Sequence, residues 1–363
     1  MIVEGALIDG AGVRRGYVRL RRGRIIETGA VGTDSSHGRE RRVRGIVLPA
    51  AVNAHTHLGD AAFGREPPPG PLSRIVAPPG GMKFRILRDT PAATKEAAVR
   101  VELLRMVAEG TGAVVDFREE GLAGTELLRR AARRLPIEVI ALGRPLRRPV
   151  EPSELAPILR LADGIGLSSA REEDRATREA VARACHRAGR RYALHASETT
   201  REPADSYLTP RPDLLVHMYG ASTDDLDRVA RAKIPIAVCP RSNALFGRSP
   251  DLARFDRAGV TFFLGTDNAM FAAPSMFREM EFAYTSQRLR RRPVSPARLI
   301  RAAFLDPWAW LRRPERARLT EENPAPPIVL RLPEDDPEYQ VVARAAEHVM
   351  VAPESMGSGS GPG

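Results

Sequence analysis

Short apolar runs broken by polar positions and glycine open the chain: Ile2-Val3-Glu4-Gly5-Ala6-Leu7-Ile8, then 16–20 and 24–27. A period of two with glycine punctuation predicts short antiparallel strands joined by turns. A polar loop over 33–44 follows, and Ile46-Val47-Leu48 leads into Asn53-Ala54-His55-Thr56-His57. From there strand-like apolar runs take turns with helix-period runs. Strands are expected at 46–55, 113–116, 137–142, 164–168, 192–195, 214–217, 236–239 and 261–265, and helices at 92–108, 125–133, 175–188, 224–231 and 275–289. Strands alternating with crossover helices read as parallel pairing, and eight of them are what a closed (β/α)8 TIM barrel requires, which sets the fold class as α/β.

The alternation stops at Pro324, Pro326 and Pro327. The apolar run 328–332 beyond them is expected to return to the N-terminal strands. The expected organisation is a small composite β domain, β-sandwich-like, from 1–47 and 320–352, a barrel over 48–319, and a Gly/Ser tail over 353–363 that is flexible by composition. The proline-rich stretch 63–88 reads as a long irregular loop after the first barrel strand, either a lid or a disordered insertion.

Composition narrows this picture. With 363 residues and 43% apolar content the chain can bury a large core. No apolar run approaches the ~18 residues of a membrane span, and the start lacks a secretory pattern, so a cytoplasmic location is expected. Cys185 and Cys239 stand far apart without CxxC spacing, which excludes a disulfide framework and the cysteine-ligated zinc deaminases. The net charge of +11 comes almost wholly from arginine, since only Lys83, Lys95 and Lys233 among 56 basic residues are lysines. Arginines spread among acidic residues read as a solvated surface. Nucleic-acid binding is disfavoured by an aromatic content of 5%, too little for base-stacking platforms.

Four of the seven histidines, His55, His57, His195 and His217, fall at or beside expected strand ends. His55 and His57 are two apart on one strand, so both side chains project from the same face and can reach one ion. His195 ends the fifth barrel strand and Asp267 follows the eighth, positions that open on the C-terminal mouth. Three imidazoles and a carboxylate suit one divalent cation, zinc first, with iron, cobalt or manganese as alternatives.

Taken in order, Leu48-Pro49-Ala50-Ala51-Val52-Asn53-Ala54-His55-Thr56-His57-Leu58, His195-Ala196-Ser197-Glu198, Cys239-Pro240-Arg241-Ser242-Asn243 and Leu264-Gly265-Thr266-Asp267 resemble the amidohydrolase superfamily, in its cytosine deaminase and chlorohydrolase-like branch. The resemblance implies that His55, His57, His195 and Asp267 bind the metal and that Asp267 accepts a proton from the attacking water. It gives Glu198 the protonation of the ring nitrogen and then of the leaving amine, and His217 the orientation of the water or the polarisation of the substrate. Asn243, and Arg118 and Arg144 after the second and third strands, are candidate substrate-binding groups. The fourth strand, Gly164-Ile165-Gly166-Leu167-Ser168, carries no lysine of the kind that bridges two ions in binuclear members, so a mononuclear site is implied. The implied activity is hydrolytic deamination of an amino-substituted heterocycle: nucleobase, nucleoside or pterin-like. Hydrolysis of another C–N or C–halogen bond (lactam, formimino or chloro-triazine) is the alternative, and a metal-stabilised nucleic-acid-binding barrel the non-enzymatic one. The partner expected is a small molecule, with a homodimer as a further expectation.

Overall fold

A computed structural model describes residues 1–35, 40–64, 66, 69–78, 80–147, 149–171, 173–345 and 349–351. His37, His348 and the expected tail over 353–363 lie outside the described residues.

The period-two segments form a six-stranded sheet. Strands β1 (Ile2–Asp9), β2 (Gly12–Arg21) and β3 (Arg24–Gly29) pair antiparallel, and β4 (Arg42–Leu48) runs parallel to β1. Its start at Arg42 lies inside the segment expected as a loop. Arg42 pairs there with Asp34 at 2.8 Å and with Glu4, which gives this polar end of the strand its partners.

Two residues after β4 the chain enters the barrel through β5 (Ala51–His57). The next strands are β6 (Thr111–Arg118), β7 (Glu138–Gly143), β8 (Gly164–Leu167), β9 (Arg191–Ala196), β10 (Leu214–His217), β11 (Ile236–Val238) and β12 (Phe262–Leu264). Each pairs parallel with the next. The ring closes through β13 (Asp267–Asn268), which pairs parallel with β5, Asp267 opposite Thr56. Closure depends on Gly265, where a Cβ would fall 2.7 Å from the His55 nitrogen, and on Thr266, whose N–H donates to the His55 carbonyl at 3.1 Å. The Asn53 amide reinforces it, donating to Thr266 Oγ1 at 2.7 Å. The strands are buried along almost their whole length, as a sheet covered by helices demands.

The C-terminal run returns as expected. The strand β14 (Ile328–Leu330) pairs antiparallel with β4, and β15 (Val349–Val351) pairs with β14 on the sheet's edge.

The expected helix over 92–108 appears as Ala92–Ala108, and the other four appear with ends shifted by one to four residues, as Gly121–Ala132, Arg175–Arg187, Thr223–Ala232 and Met276–Leu289. Among the helices not expected, two show what hid them. Pro157 interrupts the periodicity of Pro152–Leu161. In Met82–Asp89 the buried residues are Lys83 and Leu87, so a charge stands where an apolar residue would have marked the helix. This helix and Leu72–Ile75 correct the reading of 63–88 as wholly irregular; its positions 65, 67, 68 and 79 lie outside the described residues. No described helix is long and apolar enough to cross a membrane.

Candidate active site

The C-terminal ends of β5, β9 and β10 and the start of β13 bring His55, His57, His195, His217 and Asp267 together. His55 Nε2 lies 3.2 Å and His57 Nε2 3.6 Å from Asp267 Oδ1, and the Nε2 atoms of His57 and His195 are 3.4 Å apart. His55, His195 and His217 form a second ligand-competent group sharing the same space. Backbone strain gathers here: His217 (φ 72°), Asp267 (φ 59°), Ser197 (φ 44°) and Met218 (φ 58°) all adopt left-handed conformations that non-glycine residues seldom take.

Hydrogen bonds on the far ring nitrogens set the tautomers. His195 Nδ1 donates to the Leu167 carbonyl at 2.9 Å. His57 Nδ1 lies 2.7 Å from Glu119 Oε1 and 3.1 Å from the Phe117 carbonyl. Both rings therefore carry their proton on Nδ1 and turn an Nε2 lone pair toward the other ring. Two buried lone pairs facing each other across 3.4 Å, beside a carboxylate, repel unless a cation lies among them. The donor set fits a divalent metal.

Burial drives the titration of these groups. It pushes His57 down to about 4, helped by the nearby Lys83 charge, and lowers His55, His195 and His217 as well. Neutral imidazoles are what ligation needs. Burial opposes ionisation of Asp267, yet its hydrogen bond to His55 and the surrounding imidazoles hold it well below the ordinary carboxylate range. Ser242 Oγ donates to Asp267 Oδ2 at 2.6 Å, leaving Oδ1 toward the histidines.

Below the histidines lies the ring of Phe117, edge-on to His55 and His195 at centroid distances of 4.6 and 5.0 Å. Gly166 on the fourth barrel strand makes room for it, since a Cβ there would sit 2.4 Å from the ring.

Above them opens a cavity of about 570 Å³, lined by His57, His195, His217, Asp267 and Glu198 on its floor side. Glu198 Oε1 lies 3.4 Å from His217 Nε2. Leu72, Val76 and Pro78, from the stretch expected as a loop or lid, line the cavity together with Phe246 and Phe271.

The expected substrate-binding groups fare differently. Arg144 lines the cavity, 4.0 Å from Glu119 Oε1. Arg118 is not among the lining residues: it is 1% exposed and paired with Glu119 at 3.3 Å, close against Gly59. Its place between buried carboxylates makes it a counter-charge within the wall, a correction to its expected position on the mouth. Asn243 is buried beside His217 and also does not line the cavity.

A second cluster escaped the sequence reading. Lys83 Nζ lies 2.8 Å from Asp60 Oδ2 and 2.5 Å from Glu119 Oε1, all three side chains being at most 2% exposed. Asp116, whose Oδ1 accepts from Thr56 and from the Leu58 N–H, completes the buried acids.

Residues 46–206 match the model of the Amidohydrolase family. A provisionally named aminohydrolase of Methanothermobacter thermautotrophicus is 35% identical over 278 residues, covering 71% of this chain and 72% of the relative. The chain belongs to the amidohydrolase family.

Solved structures agree on the fold of this amidohydrolase. The atrazine chlorohydrolase of Arthrobacter aurescens complexed with zinc superposes with a TM-score of 0.73 at 18% identity, covering 96% of this chain and 92% of the other. The guanine deaminase of C. acetobutylicum with bound guanine gives 0.72 at 12% identity, covering 96% and 97%. The family's members act as hydrolases, and an amidohydrolase acting on C–N bonds accords with the site built above.

Proposed function

We propose that this protein is a mononuclear metal-dependent deaminase of an amino-substituted heterocycle, with His55, His57, His195 and Asp267 as the metal ligands. The observation that carries the reading is the convergence of the His57 and His195 lone pairs, 3.4 Å apart, on Asp267, with Glu198 and His217 paired at 3.4 Å in the same cavity. A divalent ion held there, zinc first among the candidates, supplies Lewis acidity and a water acidic enough to ionise near neutral pH.

The chain's own groups handle the protons. Asp267 Oδ1, left unengaged by Ser242, accepts a proton from the attacking water. Glu198 is on the cavity wall, so its carboxyl protonates the ring nitrogen beside the carbon under attack; the proton held by Asp267 then passes to the departing amine, and Glu198 recovers its own from the new hydroxyl as that becomes the carbonyl. His217, buried and neutral, stabilises the oxygen that builds up negative charge on the substrate side. The cavity holds a heterocycle with a substituent, and Arg144 in its wall is the candidate contact for an anionic or ribose group.

Ammonia release should be measured across aminopurines, aminopyrimidines, aminopterins and their nucleosides. At least one should turn over, and Glu198→Ala should abolish that turnover while the bound metal stays at wild-type content. A fully metal-loaded protein inert toward the whole panel would overturn deamination, and release of halide or a ring-opened product would assign the site to the alternative hydrolysis.

A further inference from the structure

Lysine is rare in this chain, yet two of its three lysines are buried, and both hold the same helix. Lys95 Nζ donates to the Leu87 carbonyl at 2.8 Å and pairs with Glu120. Lys83, on the first turn of Met82–Asp89, reaches into the cavity wall beside His57. A slim ammonium with three donors satisfies two carboxylates at one point, where a planar guanidinium would need a wider slot.

Glu119 Oε1 is the shared atom. It lies 2.5 Å from Lys83 Nζ and 2.7 Å from His57 Nδ1, while Oε2 faces Arg118 at 3.3 Å. Asp60 is drawn to the same ammonium at 2.8 Å. Two buried carboxylates brought this close repel each other without the ammonium between them. Freed of Lys83, Glu119 would retreat toward Arg118. His57 Nδ1 would then keep only the neutral Phe117 carbonyl, a weaker and less directional anchor than a carboxylate.

We propose that Lys83 is a positioning residue for the metal centre, acting through Glu119 to fix the ring orientation and tautomer of His57. The inference rests on the metal-binding part of the reading above and is independent of which bond the enzyme hydrolyses. It also ties the helix Met82–Asp89 to the metal site, although that helix supplies no ligand.

Metal affinity is the readout, measured by competition between zinc-loaded protein and a chromophoric chelator, with folding followed by circular dichroism. Lys83→Ala and Glu119→Ala should each weaken zinc binding about 10- to 100-fold, the usual effect of losing a partner behind a ligating histidine. Because Lys83 acts through Glu119, the double variant should bind no more weakly than Glu119→Ala. Propylammonium, small enough for the vacated space, should restore part of the affinity of Lys83→Ala, and propanol should not. Unchanged affinity in folded Lys83→Ala, or single losses that multiply in the double variant, would overturn the proposal. If Lys83→Ala does not fold, folded Glu119→Ala still decides, because wild-type zinc affinity there removes the route to His57. A wild-type protein that binds no zinc would instead strike at the metal reading itself.

Discussion

The two halves of the buried polar cluster beside the cavity manage charge in opposite ways. In the histidine half, neutral imidazoles donate outward to backbone carbonyls, with Glu119 close beside His57, and point lone pairs inward, so electron density is concentrated at one spot. In the acidic half, Asp60, Asp116 and Glu119 are balanced within the protein by Lys83 and Arg118. On the proposed reading a cation from outside completes the first half; the second already contains its cations. Loss of one group should therefore have different consequences on the two sides: loss of the ion in the histidine half, and in the acidic half loss of stability, with metal affinity reduced only through Glu119.

The largest expected effect tests the histidine half. Asp267→Ala should lose bound metal and reduce hydrolysis to the level of the chelated enzyme, with little change in the fold. Glu198→Gln should keep the metal and lower kcat by about 10²–10⁴-fold, the range of a general acid. Metal analysis alongside steady-state kinetics checks both; equal metal loss in the two variants would erase the distinction between ligand and proton donor.

That contrast also explains what could be read from the chain. The histidine half was legible because barrel topology converts sequence position into place: a residue ending any strand faces the common mouth. His55 and His57 needed only a period of two, and His195 and Asp267 only the count of strands. Arg118 ends β6 and is the exception to that rule, its guanidinium drawn into the wall by Asp116 and Glu119. The acidic half depends on Lys83 meeting Glu119 across 36 positions, a packing of one helix on one strand end that no local period encodes. Its one outward sign was the rarity of lysine among so many arginines.

In the acidic half, Lys83→Met leaves Asp60 and Glu119 buried without their ammonium and should cost about 3–5 kcal/mol of stability. Urea denaturation of metal-free wild type and variant measures this apart from ligation. A loss below about 1 kcal/mol would mean that the acidic half is as solvated as the surface and that the contrast is false.

A third group sharpens the boundary between the halves. Glu279 is fully buried near Asp267, and burial lifts its carboxyl from the ordinary 4.5 to about 8, with Arg241 opposing. Its folded pKa is raised, so its stabilising contribution is complete below about pH 4.5 and is lost as pH rises toward 8. Across that window the loss approaches about 1.4 kcal/mol per pH unit. Glu279→Gln should flatten this slope, becoming more stable than wild type at pH 8.5 and indistinguishable at pH 4.5. Parallel stability–pH curves would show that Arg241 alone keeps Glu279 ionised.

The smallest effect probes the support under the histidines. Gly166→Ala places a methyl 2.4 Å from the Phe117 ring, which packs edge-on to His55 and His195. Overpacking of this kind costs about 1–3 kcal/mol. Because the ring bears on two proposed ligands at once, the variant should also bind zinc more weakly, whereas Gly189→Ala, at a left-handed turn with nothing within 4 Å, should lose stability alone. Zinc titration and thermal unfolding of the two variants separate strain passed to the metal site from strain confined to the backbone. Equal zinc affinity in both would mean that His55 and His195 are held by their hydrogen bonds and not by the ring beneath them.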